Sequence, residues 1–356
     1  MAKSPKVSII VITYNQSNYI KQALDGILMQ KTNFGVEVIV ADDASPDNTK
    51  DIIKSYVSKH ADTLKPILRS KNIGAWNNFV GALKVATGQY IALCEGDDYW
   101  TDSNKLQKQV DFMEANPSCA VLFHPVSVVY EDSSRPDEVF PQKIPELSVK
   151  NLLKENFIQT NSVMYRRQNN YDDISHDVMP GDWYLHLYHA QFGKICSVDG
   201  AMSVYRRHKD GVWYDSSTNR YAFWEKYGEA HLSLCRELLA LYGDKHDLSE
   251  IIYSRASSFI NDIAHSSDGS DLHLLQMIVS KYPEFIAVNI YNNQNNIKTK
   301  EEEVVKLVKS AKDKDIQIDR LSKAISEKDA QIVEIKSSKV WRARNKIVKI
   351  AGKKAI

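Results

Sequence analysis

The sequence predicts an α/β protein built on a doubly wound sheet, continued by a helical extension and a C-terminal coiled coil. Three observations carry that reading. Apolar strand-like runs alternate with helix-period segments through the first hundred residues. Two of those runs stop at adjacent acidic residues, Asp42-Asp43 and Asp97-Asp98. Beyond Ile297 the pattern changes to apolar residues at alternating spacings of three and four.

Val7–Ile12 reads as the first strand, and Asn18–Gln30 has helical periodicity. Val36–Ala41 is the next strand, and Ser45-Pro46 supplies a cap and first-turn proline for a helix through Lys59. Pro66–Arg69 is a short strand, Ala75–Thr87 a helix closed by Gly88, and Tyr90–Cys94 a fourth strand. These strands are nearly continuous in apolar residues, as a sheet covered on both faces requires. Lys105–Ala115 reads as a helix stopped at Asn116-Pro117. Ala120–Tyr130, Thr160–Arg166 and Ile195–Arg206 read as further strands, with Asp132–Pro145 a polar loop. Arg220–Tyr282 is helical, its apolar stripe including Leu232, Cys235, Leu238, Leu239 and Tyr242.

Positions Val304, Ala311, Ile318, Ile325 and Ile332 interleave with Leu307, Lys314, Leu321, Lys328 and Ile335 as a and d of a heptad. That pattern predicts a parallel dimer weakened by its two lysines, or a lone solvated helix. Residues from Lys336 onward carry eight basic side chains and no acid, among them Trp341, Ile347, Val348 and Ile350. This end is either a basic amphipathic segment for an anionic membrane face or a disordered basic tail. The expected domains are 1–215, 216–297, 298–335 and 336–356.

With 356 residues, 43% hydrophobic, 26% charged and a formal net charge of +1, the bulk composition is that of an ordinary globular protein, and nothing in it points to nucleic acid. Cys94, Cys119, Cys196 and Cys235 are scattered, without CxxC or zinc spacing, which predicts free thiols in a reducing cytosol. No apolar run reaches the length of a membrane span, so a cytoplasmic protein is expected, peripheral on the inner membrane face if the tail binds there.

Adjacent carboxylates at a strand end are costly unless a cation compensates them. A divalent ion carrying phosphate oxygens does so in the crevice where α/β strands end. Either pair alone reads equally as a helix cap; two pairs facing one crevice suggest a nucleotide-diphosphate site.

An ordered series of motifs resembles the family 2 glycosyltransferases of the GT-A fold. Val7-Ser8-Ile9-Ile10-Val11-Ile12-Thr13-Tyr14-Asn15 looks like their opening strand and nucleotide-binding turn, and Val38–Ser45 like their second strand. Asn72-Ile73-Gly74 with Asn78, then Ala86–Ile91, resembles the segment leading to the metal motif. Glu95-Gly96-Asp97-Asp98 sits at the DxD position, with Glu95 where the family often has Asp. Gly181-Asp182-Trp183 resembles the catalytic-base segment, and Tyr205-Arg206-Arg207-His208 the late metal-ligand segment. The resemblance spans residues 5 to 210.

It implies an inverting, metal-dependent hexosyltransferase that moves a sugar from a nucleotide-diphosphate donor, most commonly UDP-linked, to a hydroxyl of a glycan or lipid-linked acceptor in bacterial surface polysaccharide (O-antigen or capsule) synthesis. Thr13, Tyr14, Asn15, Asp42, Asp43, Asn72, Asn78, Glu95 and Asp97 would line the donor site. Asp97, Asp98 and His208 would hold Mn2+ or Mg2+, with the order of Asp97 and Asp98 open. Asp182 would be the base, or a helix cap, or both; Trp183, Thr160 and Arg206 would face the acceptor. Two other classes compete: a sugar nucleotidyltransferase, which needs a glycine-rich loop that Thr13–Asn18 lacks, and a coiled-coil scaffold with a vestigial site.

Overall fold

The computed structural model describes residues 4–293 apart from 170, 173, 175–177, 214–219 and 267–272. The heptad and the basic tail lie outside the described residues. The chain divides into a unit Met1–Asn289 and a second unit, Ile290–Ile356.

Two sheets carry the first unit. The larger has seven strands in the order β10-β6-β9-β4-β1-β2-β3. They are β1 (Val7–Thr13), β2 (Val36–Asp42), β3 (Leu64–Leu68), β4 (Tyr90–Leu93), β6 (Cys119–Phe123), β9 (Met164–Arg166) and β10 (Lys194–Ser197). Strands β4, β1, β2 and β3 are mutually parallel, whereas β9 runs antiparallel between β4 and β6. A smaller sheet, β5-β11-β7-β8, joins Tyr99–Trp100, Ser203–Arg207, Val126–Tyr130 and Glu138–Phe140.

The continuous apolar strands fill both faces of the large sheet. Ile9 and Val11 pack with Ile20, Leu24 and Trp100 on one side, while Ile10 packs with Ile39, Phe79 and Leu83 on the other. Each such fully buried Leu or Ile contributes about 1.5–3 kcal/mol. The helices between the strands are α1 (Ile20–Leu28), α2 (Thr49–Val57), α3 (Ala75–Lys84) and α4 (Lys105–Ala115). α5 (Val149–Lys154) and α6 (Gly181–Ala190) follow, then the expected helical extension: α7 (Arg220–Tyr242), α8 (His246–Ser266), α9 (His273–Lys281) and α10 (Pro283–Asn293). Among the described residues no helix is long and apolar enough to cross a membrane. The four cysteines are free thiols.

Five expectations are corrected. Ala120–Tyr130 is two strands in different sheets, parted at His124-Pro125, and Ile195–Arg206 is likewise split into β10 and β11. Thr160–Ser162 is a 3-10 turn ahead of β9, and the polar loop 132–145 contains β8. The second helix starts at Thr49, not at Ser45-Pro46, because Asp47 accepts the Thr49 N–H at 3.0 Å and Ser45 is drawn back to Asp42.

One buried carboxylate stitches the layers. Glu37 on β2 accepts from Ser8 Oγ (2.5 Å) and from both N and Oγ1 of Thr87 (2.7 Å), and pairs with Lys65. Burial pushes its carboxyl up, but the Lys65 ammonium and the Ser8 and Thr87 hydrogen bonds outweigh that and hold it at about 2. Its folded value therefore lies below the ordinary 4.5, so its stabilisation is complete above 4.5 and is lost as pH falls toward 2. Glu37→Gln should cost about 1–3 kcal/mol at neutral pH. Thermal melts should show that gap narrowing below pH 4.5; a gap unchanged at pH 3 would contradict this account.

Candidate active site

The carboxyl ends of β1, β2 and β4 open into a cleft of about 1940 Å³ that continues past α6 to α7. Thr13, Tyr14, Asp43, Asn72, Asn78, Glu95, Asp97, Thr160, Asp182, Trp183, Arg206 and His208 all line it. The expected site residues are thus gathered in one place, with three exceptions, Asp98, Asp42 and Asn15. Asp42 is fully buried behind the cleft, its Oδ2 accepting the Ser45 N–H at 3.3 Å. Asn15 makes the turn after β1, with φ +57° and its N–H on Ser45 Oγ at 2.9 Å, and does not line the cleft.

Each acidic residue is held differently. Asp43 accepts the N–H groups of Ile73 and Gly74, both at 2.9 Å, which fixes the loop entering α3. Asp98 is 1% exposed; its Oδ1 accepts the Arg206 N–H and its Oδ2 the Asn161 Nδ2, both at 2.9 Å. Asp97 instead faces the cleft, its Oδ2 lying 3.0 Å from His208 Nε2. Asp98 closes a turn by donating its backbone N–H to the Glu95 carbonyl at 3.1 Å, and at this turn one aspartate reaches the cleft while the other braces it. The expected trio Asp97, Asp98 and His208 is therefore not assembled around one point. Among the described residues no three His, Cys, Asp or Glu side chains converge as a metal site.

Glu95 carries the electrostatic signature of the cleft. Burial, then the charges of Asp97 and Asp182, raise its carboxyl to about 8. Gly96 cannot be another residue, since a Cβ there would meet Gln16 Oε1 at 2.5 Å and Thr13 Oγ1 at 2.7 Å.

The residues present fit a divalent cation carried by two protein ligands. Adjacent ligands about 2.1 Å from an octahedral ion stand about 3 Å apart, and such ions are commonly held by one or two carboxylates plus substrate phosphates. The Asp97–His208 separation of 3.0 Å has that span. The His208 ring is set by Tyr19, with centroids 4.6 Å apart, and Tyr19 in turn donates its hydroxyl to Glu131 at 2.8 Å.

Asp182, in the first turn of α6, also lines the cleft and accepts from Asn156 Nδ2 and Thr160 Oγ1, each at 3.2 Å. Two residues expected on the acceptor side are engaged elsewhere. Trp183 is 6% exposed and donates its indole N–H to the Leu152 carbonyl at 2.7 Å, so its ring belongs to the core. Arg206 donates to the Asp97 carbonyl at 2.9 Å and to Gln22 at 2.7 Å, stacked between Tyr19 and Tyr99. Thr160, likewise, spends its hydroxyl on Asp182.

A carboxylate–imidazole pair and a second, hydrogen-bonded carboxylate thus line the same cleft. The sequence model of glycosyl transferase family 2 matches residues 8–211, more than half of the chain. The chain belongs to this family. Uncharacterised protein Rv1520 of Mycobacterium tuberculosis is 44% identical over 285 residues, covering 80% of this glycosyltransferase and 82% of its relative. The putative teichuronic acid biosynthesis glycosyltransferase TuaG of Bacillus subtilis is 33% identical over 164 residues, 46% of this chain and 63% of its own. Among solved structures, residues 1–349 of S. aureus TarS in complex with UDP superpose with a TM-score of 0.56 at 20% identity, over 86% of this chain and 87% of that one. That likeness establishes the GT-A type of fold for this glycosyltransferase, helical extension included.

Sequence reasoning did not assign the bracing roles of Asn161, Asn156, Tyr19 and Gln16, which contact Asp98, Asp182, His208 and Thr13 respectively. Asn161 is fully buried and also donates to the Val204 carbonyl and accepts from Ser203, tying the large sheet to the small one. None sits in a motif; the available signal was a run of polar residues, Gln159–Ser162, beside apolar strands.

The two aspartates should separate cleanly by stability. Asp98→Ala strands the buried Arg206 N–H and Asn161 amide and should cost about 2 kcal/mol. Asp97→Ala removes a cleft-facing charge that repels Glu95 and should change stability by about 0.5 kcal/mol or less. Denaturant unfolding of both variants decides this; equal losses would mean that Asp97 is also a structural brace.

Proposed function

We propose that the protein is an inverting glycosyltransferase that moves a hexose from a nucleotide-diphosphate donor to a hydroxyl of a glycan acceptor in surface-polysaccharide synthesis. The observation that carries the reading is that Asp97, paired with His208, and Asp182 line a single cleft at the strand ends. The printed roles of relatives support the polysaccharide setting: teichuronic acid biosynthesis for TuaG, and UDP binding for TarS, which makes UDP the first nucleotide to test.

The donor's diphosphate would lie near Asp97 and His208, and its nucleoside along Thr13, Tyr14 and Asn72. A bound Mn2+ or Mg2+ would neutralise the charge that develops on the departing nucleotide diphosphate. Asp97 and His208 would hold it, and Asp98 would act behind them by fixing the Asp97 segment to β11. Asp182 takes the proton from the acceptor hydroxyl as that oxygen attacks the anomeric carbon from the face opposite the leaving group. Glu95 keeps a proton while the cation is absent, which limits the repulsion met by the empty cleft. The lipid linkage of the acceptor, pairing of two protomers through the heptad and membrane contact through the basic tail belong to this reading as its sequence-borne part.

Calorimetry with UDP, GDP and dTDP tests the donor half. UDP should bind at least about tenfold tighter with Mn2+ present, and Asp97→Ala with His208→Ala should abolish the metal effect. Equal affinity with and without metal would overturn it. For the base, Asp182→Asn should lower transfer by about 10²–10⁴-fold while leaving metal–UDP affinity unchanged. Near wild-type turnover would reduce Asp182 to a residue of the α6 first turn.

A further inference from the structure

From the contacts around the candidate base, we infer that Asn156 and Thr160 are positioning residues that hold Asp182 by one oxygen and leave the other free to take the proton. The inference rests on the reading of Asp182 as the base. Every hydrogen bond to Asp182 among the described residues falls on Oδ2: from Asn156 Nδ2 and from Thr160 Oγ1, both at 3.2 Å. The nearest imidazole nitrogen, His186 Nε2, also lies on the Oδ2 side at 4.0 Å, and it is committed to the Ile158 carbonyl at 3.2 Å. Oδ1 has no such partner, on a side chain that is 27% exposed in the cleft wall.

A carboxylate with both donors on one oxygen is held in one orientation while its other oxygen stays open to the attacking hydroxyl. The two donors come from separate elements. Asn156 lies just after α5 and is itself braced by accepting the Ile158 N–H at 3.3 Å. Thr160 opens the 3-10 turn ahead of β9. Clamping from two directions fixes both side-chain torsions, which a single donor does not.

The backbone under the carboxylate is fixed as well. Gly181 lies against the Trp76 ring so closely that a Cβ there would sit 2.3 Å from its Cε3. That ring is itself held, stacked on Phe79 at 5.4 Å and edge-on to Tyr184 at 6.1 Å. Asp182 is therefore pinned from below by an aromatic floor and from the side by two hydrogen-bond donors. Reacting groups misplaced by about 1 Å can cost about 10²-fold, so such bracing bears on rate rather than on binding.

This assigns Thr160 a different role from an acceptor contact, and the two roles separate when water replaces the acceptor. The probe is the hydrolysis of UDP-glucose, UDP-N-acetylglucosamine, GDP-mannose and dTDP-rhamnose by the full chain with Mn2+, in the absence of any glycan. Thr160→Val keeps the shape and removes the donor; Thr160→Ser keeps the donor. On whichever sugar nucleotide the wild type hydrolyses, Thr160→Val should lower kcat about tenfold with donor KM unchanged, and Thr160→Ser should restore most of it. Asn156→Ala should act in the same direction. In an Asp182→Asn background Thr160→Val should have no further effect, because the group it positions is gone. Undiminished hydrolysis by Thr160→Val, or a loss that appears in donor KM, overturns the assignment. Full activity of Asp182→Asn alone would instead overturn the underlying reading of the base, as would a wild type that hydrolyses none of the four. Thermal melts on each variant separate misfolding from loss of positioning.

Discussion

Mutual repulsion among carboxylates is the constraint on which this cleft depends. Asp43, Glu95, Asp97 and Asp182 face one crevice, with Asp98 immediately behind. Like charges that close destabilise the folded state unless something opposes them. The fold opposes them unequally. Asp43 is met by two backbone N–H groups, Asp98 by a backbone N–H and an amide, and Asp182 by an amide and a hydroxyl. Burial, and then the charges of their acidic neighbours, raise the affinity of both Glu95 and Asp98 for a proton.

Much of the large sheet was legible because strands buried on both faces are mostly apolar, and β1, β2 and β4 follow that rule apart from Ser8 and Glu37, which bond each other, and the polar last residues of β1 and β2. The small sheet was not. The runs 120–130 and 195–206 each continue from one sheet into the other with no change of apolar character. Only His124-Pro125 and the Asp199-Gly200 turn mark where direction changes. Continuity of hydrophobicity records burial, and burial is the same in both sheets. The second helix began late for a local reason: Asp47 out-competed Ser45 as acceptor for the first free N–H groups.

The site was legible as a set of motifs and illegible as a geometry. Asp97 and Asp98 are chemically equivalent in the sequence, and their division into cleft wall and buried brace follows from the turn Glu95–Asp98, which sends one toward His208 and the other toward β11. Trp183 followed the base in sequence and so was expected beside a sugar. On a helix, however, neighbouring residues point about 100° apart, and Trp183 falls on the core side. The ring near Asp182 is Trp76, more than a hundred residues earlier, reached only through the packing of α3 against the start of α6.

The Asp97–His208 pair spans a joint. Asp97 follows β4 of the large sheet and His208 follows β11 of the small one, while Asn161 links Asp98 to the Val204 carbonyl across the same line. The bite of the pair is thus a mechanical property of how two sheets are registered, not of two side chains alone. Ions differ in how narrow a bite they accept, Mg2+ being among the least forgiving. In the proposed role, the spacing offered to an ion would then be set by the pairing of β11 within the small sheet as much as by the two side chains themselves.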